Sequence, residues 1–293
     1  MSIPLLVAGI LAVAIPLQLR RAHRPEQDLV ERWARGHGVE LTPENRALVT
    51  DYLRNASVLR TWGGVAGAVL PSVIAFAWSG RVQVLGFGTD GESAPLAFGT
   101  IFIGYLVGAL CAEVALARPV AGTRRKASLS RRELTNYLPH RVVVAQRSSA
   151  VAGAIGMIAI GLVPYADSAS NPGLPWLALA AAATLAFGAG LEAIERWVVR
   201  RPQPVTSLPL VAADDAIRVS SIHAVAGAGL ALLLLLCSGV ALGLQASDVA
   251  ALNSTMVVPA AACFVLSLFA WRHVGQGSRR VRHPAATSDV APA

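Results

Sequence analysis

The run IHAVAGAGLALLLLLCSGVALGL, residues 222–244, contains no Asp, Glu, Lys or Arg. A helix rises about 1.5 Å per residue and needs roughly 20 apolar residues to cross about 30 Å of hydrocarbon. In hydrocarbon a helix satisfies its backbone groups internally, which an irregular chain cannot do. Residues 222–244 therefore read as a membrane-spanning helix. Six further runs of similar character lie at about 3–19, 62–79, 95–117, 149–166, 174–195 and 255–271. Together they predict an all-α, polytopic membrane helix bundle with about seven transmembrane helices. Composition agrees: 14% of residues are charged and mean hydropathy is +0.55, against about 25% charged in soluble domains.

Two runs need argument. Pro71 lies in the middle of 62–79, but membrane helices tolerate proline where neighbours re-satisfy the freed carbonyl. The run 3–19 has no positive charge before it, Arg20 and Arg21 after it, and Ala12-Val13-Ala14 too early for a cleavage site, so a retained first helix is expected.

Positive charge sets the predicted orientation. Of the 25 Lys and Arg residues, 24 fall in segments 20–61, 118–148, 196–221 and 272–293, with Arg81 the exception. Segment length explains part of this bias. The acids supply a control, because Asp90, Glu92, Asp167 and Asp248 lie in the other loops about as often as length predicts. The excess is specific to positive charge, as the positive-inside rule requires, and predicts an N-terminus outside and a C-terminus in the cytoplasm. The net charge of +8 then reflects membrane orientation. No aromatic-interleaved basic stripe marks nucleic-acid binding. Segment 118–148, with eight basic residues and Glu133 as its one acid, would lie against anionic headgroups, where each Lys or Arg gains about 1 kcal/mol.

The chain divides into a first helix (1–19), a cytoplasmic helical hairpin (20–61), a six-helix transmembrane bundle (62–272) and a disordered basic tail (273–293). In the hairpin, Pro25, Glu26 and Asp28 open a helix whose apolar face is Leu29, Val30 and Trp33, and Gly36 and Gly38 end it. Thr42-Pro43-Glu44 then reads as N-cap, first-turn proline and first-turn acid of a second helix through Leu48, Tyr52 and Leu53. This hairpin is too small to hold a core of its own.

Val-Ala-Gly-Ala occurs at 65–68, 151–154 and 225–228, each time opening a span that leaves the cytoplasm. Arg60, Arg147 and Arg218 precede the three copies. Gly108, Glu113, Arg118 and Gly190, Glu195, Arg200 share the spacing G-x4-E-x4-R in spans that return, whereas the seventh span ends in Trp271-Arg272. A lone helix followed by three parallel helical hairpins fits this pattern. Chance in an Ala-, Gly- and Val-rich chain fits it too.

Glu113 and Glu195 are the candidate ion or proton site, since an ionisable group within a span is costly. The structural alternative is anchoring: Glu113 lies five residues before Arg118, roughly 7 Å along the helix, where snorkelling relieves the cost. Glu192 and Arg196 can pair at i, i+4. Asp214, Asp215, Arg218 and His223 form a predicted interfacial polar cluster, in which Asp214 and Arg218 pair at i, i+4. Paired aspartates can also hold Mg²⁺ on a diphosphate, but Arg218 occupies the place of a further carboxylate. Gly63/Gly67, Gly104/Gly108 and Gly239/Gly243 are G-x-x-x-G pairs that permit close helix packing, within one chain or between two copies. Pro71 and Pro259 are expected to kink their spans. Cys111, Cys237 and Cys263 lie inside spans, with no disulfide framework and no metal site. The catalytic motifs H-E-x-x-H, G-x4-G-K-[ST] and G-x-S-x-G are absent from the sequence, so neither an enzyme nor a cofactor is expected.

The stretch ERWARGHGVELTPENRALVTDYLR (31–54), with ADDAIR (213–218) before a span, resembles uncharacterised multi-pass membrane proteins of high-GC Gram-positive bacteria. The resemblance covers only those parts. It implies a bacterial plasma-membrane location and carries no activity, cofactor or catalytic residue. Two functions remain open. One is a non-catalytic membrane protein whose basic cytoplasmic face meets the lipid bilayer's anionic headgroups, a protein partner or a second copy in a homo-oligomer. The other is a passive or proton-coupled small-solute transporter using Glu113 and Glu195.

Overall fold

The computed structural model describes residues 27–79, 94–116, 125–126, 133–164, 173–201, 203–204, 207–245, 247 and 249–276. The predicted span 3–19 and most of the tail 273–293 lie outside them. The described chain is helical apart from one two-residue antiparallel ladder, β1 (Arg125–Lys126) on β2 (Gln203–Pro204). The helices are α1 (Gln27–His37), α2 (Pro43–Ser79), α3 (Ala94–Leu116), α4 (His140–Leu162), α5 (Leu174–Arg200), α6 (Leu208–Gln245), α7 (Ala250–Thr255) and α8 (Val257–Ala270). Five helical stretches are long and apolar enough to cross a membrane: Gly99–Leu116, His140–Leu162, Leu174–Arg200, Leu208–Gln245 and Ala250–Gly275.

Neighbours in sequence pack as hairpins: α2 along α3, α4 along α5, α6 along α8. Helix α6 also touches α2, α3, α4 and α5. It is the central helix, with 61% of its apolar stretch buried inside the chain against 22–28% in the other four spans. Its small residues Ala213, Ala216, Ala224, Ala226, Ala228 and Ala231 are almost completely covered. Large apolar side chains on the outer helices point away from the bundle: Leu179 is 59% exposed, Val258 72% and Phe269 53%. An aqueous surface rarely carries that much continuous apolar area. A lipid environment accounts for it.

Several boundaries differ from expectation. Helix α1 runs through Gly36 and stops only at Gly38, whose φ of 69° is the left-handed value that glycine adopts without strain. Helix α2 is continuous from the hairpin into the second apolar run and passes Pro71 unbroken. Helix α4 begins at His140, after Pro139, rather than near 149. Helix α6 begins at Leu208 rather than near 222, so Asp214, Asp215 and Arg218 lie within one helix of 38 residues. The α-helix is interrupted at Met256, three residues before Pro259. Pro259 thus falls in the first turn of α8, where a missing N–H is not needed. After α8 a π-helical turn, Trp271–Gly275, packs on α6 at Gly227, so the ordered chain extends past residue 273.

The hairpin is capped reciprocally. Asn45 N–H donates to Thr42 Oγ1 (3.4 Å) and Thr42 N–H donates to Asn45 Oδ1 (2.9 Å), a capping box with Asn in the place of Glu. Its core is borrowed: Val30 and Val49 pack on Ala213 of α6, and Asn45 Nδ2 donates to the Pro209 carbonyl at 3.3 Å. His37 stacks on Trp33 at 4.3 Å, and its Nδ1–H donates to the Trp33 carbonyl at 2.8 Å. Burial holds the ring neutral and moves His37 below its ordinary value, against the smaller upward pull of that hydrogen bond.

The glycines of the first hairpin form a seam. A methyl on Gly63 would meet the backbone of Gly104 and Gly108, and one on Gly67 the backbone of Thr100 and Gly104. These four glycines serve packing within the chain. The third pair, Gly239 and Gly243 of α6, does not bring two backbones together as expected. A methyl on Gly243 would press on Ile160 Cδ1 of α4 at 2.9 Å, so Gly243 makes room for a side chain within the chain rather than for a facing helix backbone. At Gly239 nothing lies within 4 Å of an added methyl. The two therefore act separately, because a glycine permits backbone approach only where the neighbouring helix presents small residues too. Gly67→Ala and Gly104→Ala are expected to cost about 1–3 kcal/mol by overpacking, and Gly239→Ala less than about 0.5 kcal/mol, read by thermal unfolding in nanodiscs. A second outcome concerns pH. The His37 contribution is fully present above its unfolded value of about 6.5 and is lost as pH falls below it. The gap in unfolding temperature between the wild type and His37→Phe should therefore shrink below that pH.

Candidate functional site

Glu113 stands near the end of α3 and is completely buried. Arg60 of α2 donates from Nη2 to its Oε1 at 2.9 Å. The phenol oxygen of Tyr52, two turns earlier on α2, lies 3.3 Å from both carboxylate oxygens and 3.2 Å from Ser220 Oγ on α6. Burial, with the carboxylate beside it, pushes the Tyr52 phenol above its ordinary value. It therefore keeps its proton and donates to Glu113, and the Ser220 hydroxyl can donate to it in turn. Arg60 also lies over the Trp271 ring, 5.5 Å from its centroid, and Trp271 meets Tyr105 edge-on at 5.6 Å. Snorkelling is not what accommodates Glu113. A salt bridge between helices does.

Glu195 of α5 is equally buried but differently served. Gln146 of α4 donates from Nε2 to Glu195 Oε1 at 2.9 Å and to the Ala226 carbonyl of α6 at 3.3 Å. Glu195 Oε2 has no hydrogen-bond partner among the described residues. One turn earlier, at the surface, Glu192 accepts from Arg147 and, at 2.5 Å, from Arg196. The expected Glu192–Arg196 pair thus forms, with Arg147 added.

The structure does not bring Glu113 and Glu195 into one site, since they share no hydrogen-bond partner. Their contacts on α6, at Ser220 and Ala226, are six residues apart, about 120° around the helix at 100° per residue. His223, 2% exposed, falls midway between those two positions on α6.

Asp214 and Arg218 pair as expected, Arg218 Nη2 donating to Asp214 Oδ2 at 3.0 Å. Arg201 binds the other oxygen of Asp214. The pair is enclosed by the protein. Arg218 is fully covered and Asp214 is 8% exposed, because other helices pack around α6. Asp215 alone of the two aspartates is half-buried. Arg218 Nε and Nη1 lack partners among the described residues.

Sequence reasoning missed Tyr52, Arg60 as an ion-pair partner, Gln146 and Arg201. A signal existed for two of them. Arg60 and Gln146 each stand five residues before a Val-Ala-Gly-Ala copy, as Glu113 and Glu195 each stand five before an Arg. Among the described residues no group of three or more His, Cys, Asp or Glu is placed to hold a metal. No protein-family model, curated protein or solved structure matches the chain.

Removing one partner of a buried pair strands the other's charge, at a cost of about 3–5 kcal/mol. Glu113→Leu and Arg60→Met should each lower unfolding stability by more than the double variant does, which a double-mutant cycle in nanodiscs reads directly.

Proposed function

We propose that this chain is a non-catalytic multi-pass protein of a bacterial plasma membrane, with seven spans, N-terminus outside and C-terminus in the cytoplasm. Its basic cytoplasmic face contacts anionic lipid headgroups. The observation that carries this reading is the meeting of positive segments at one end of the bundle. The β1–β2 ladder ties Arg125 and Lys126 to the residues just after Arg200 and Arg201. Arg141 and Arg147 at the start of α4, and Arg200 at the end of α5, are exposed there. The sequence resemblance supports the bacterial location.

The hairpin makes a separate contribution. Among its described residues, exposed Arg32, Arg35, Arg46 and Arg54 are balanced by exposed Asp28, Glu31, Glu40, Glu44 and Asp51. That described surface carries no net positive charge and suits a protein partner. It is held firmly for such a role by the Val30–Val49–Ala213 contact and by Ser207 Oγ donating to Glu44 at 2.6 Å. A transporter that uses both Glu113 and Glu195 on one path is less favoured, because Arg60 neutralises the first.

The test is thermal unfolding in nanodiscs of neutral lipid and of lipid containing phosphatidylglycerol. The wild type should be stabilised by the anionic lipid. Replacing Arg124, Arg125, Lys126, Arg131 and Arg132 together with Gln should remove most of that gain, at about 1 kcal/mol per residue before screening. An equal gain in the variant would refute the headgroup reading.

A further inference from the structure

The two well-formed hairpins allow one carboxylate to be read against the other. In α2–α3 the residue five before Val-Ala-Gly-Ala is Arg60, and it binds Glu113. In α4–α5 the residue at that offset is Gln146, and it binds Glu195. Both contacts are 2.9 Å long, both carboxylates are fully buried, and both stand five residues before an Arg in the sequence. The glycine packing does not follow that register: Gly108, five residues before Glu113, meets the Gly63 backbone, whereas nothing lies within 4 Å of a methyl on Gly190, five before Glu195. A methyl on Gly104 or Gly108 would meet the facing backbone in the first hairpin, and one on Gly188 would meet Ala150 Cβ in the second. These glycines lie nine and five residues before Glu113, and seven before Glu195. The third hairpin does not repeat the pair: Ser220 stands at that offset in α6, and its bond is with Tyr52.

One hairpin therefore answers its buried carboxylate with a guanidinium and the other with a neutral amide. An isolated carboxylate in a low-dielectric interior is costly, and such a group neutralises itself instead. Oε1 of Glu195 is occupied by the amide, and Oε2 has no partner among the described residues. We propose that Glu195 is a reversible proton-binding site: Oε2 takes up one proton, converting the carboxylate to a neutral acid while Oε1 continues to accept from Gln146. The proton here does for Glu195 what Arg60 does for Glu113. This inference is independent of the headgroup reading.

The charged and titratable groups on the surrounding elements fit the assignment. Helix α4 brings Arg147, which is held by Glu192. Helix α5 itself carries Glu192 and Arg196, bound to one another at the surface. Helix α6 brings Arg218, tied to Asp214, and buried His223. The 3₁₀ turn Leu134–Asn136 beside α5 brings no charge. None of these gives Glu195 a cation in contact. A metal ion is a poorer occupant than a proton, since hard cations take six or more oxygens and this site offers few.

A lipid-soluble carbodiimide tests the idea. Dicyclohexylcarbodiimide reacts with buried protonated carboxyls: its nitrogen takes the acid's proton and its central carbon bonds to the carboxyl oxygen. The protein in nanodiscs would be treated between about pH 5 and 9, a range that spans documented buried Glu residues, and mapped by mass spectrometry. Glu195 should be modified at low pH, with yield falling about tenfold per unit above its midpoint, and Glu113 should stay unmodified. Gln146→Arg should abolish modification at Glu195. Arg60→Gln should expose Glu113 to it, which keeps the test decisive if one variant fails to fold. Absence of modification at Glu195 across the range, equal modification of Glu113 in the wild type, or protection of Glu195 by sodium at constant pH would each overturn the proton assignment.

Discussion

A helix enclosed on every side must find partners for its polar groups among other helices, because neither water nor headgroups reach it. Helix α6 is under that constraint for much of its length. Its apolar part needs only small side chains: the alanines and glycines around residues 224–231 let the neighbouring helices approach, Gly227 against Gly275 and Gly229 against Leu191. Its polar part determines what the neighbours must supply. Asp214 and Arg218 require Arg201 from the end of α5, Ser220 meets Tyr52 from α2, and the Ala226 carbonyl accepts from Gln146 of α4.

The two buried acids follow from the same constraint. Each stands on the returning helix of a hairpin and is satisfied by the outgoing helix of the same hairpin, on the side that faces α6. Arg60 meets the requirement with charge, and its guanidinium lies over Trp271, which Tyr105 meets edge-on. Gln146 meets it with a single hydrogen bond. The difference between an arginine and a glutamine at one repeated offset is thus a difference between a fixed ion pair and a carboxylate free to exchange its charge. Buried ion pairs gain little net stability over apolar packing. Glu113 and Arg60 are better understood as fixing the register of α2 on α3 than as strengthening it.

Five of the seven expected spans were legible as helices long and apolar enough to cross hydrocarbon, because that crossing imposes a length and a composition. The start of α6 was not. A linear reading of Asp214, Asp215 and Arg218 assigns their charge to water, and does not see that Arg201 binds Asp214 or that the hairpin packs on Ala213 beside it. The Thr42-Pro43-Glu44 start of α2 was readable from local chemistry, though Asn45 as the reciprocal cap was not. Tyr52 and Arg60 lie 61 and 53 residues from Glu113, and no periodicity within a helix reports a contact of that range. Arg60 and Gln146 could have been found from their shared offset to Val-Ala-Gly-Ala. Arg147, one residue on, drew the eye because it carries charge, yet it pairs with Glu192 at the surface. Sequence spacing alone also left the G-x-x-x-G pairs undecided between one chain and two. The backbone contact of Gly63 and Gly67 with Gly104 and Gly108 places those pairs inside one. The same spacing at Gly239 and Gly243 marks no seam, since what faces Gly243 is the branched side chain of Ile160.

The central position of α6 is the claim on which the rest depends, and lipid-phase carbene footprinting tests it without any substitution. A hydrophobic diazirine photolysed in the bilayer inserts into whatever side chains the lipid touches. Peptide mapping should show heavy insertion on α5 at Leu179, on α8 at Val258 and Phe269, and almost none on α6 between residues 213 and 233. Insertion along that stretch of α6 comparable with α8 would contradict the account.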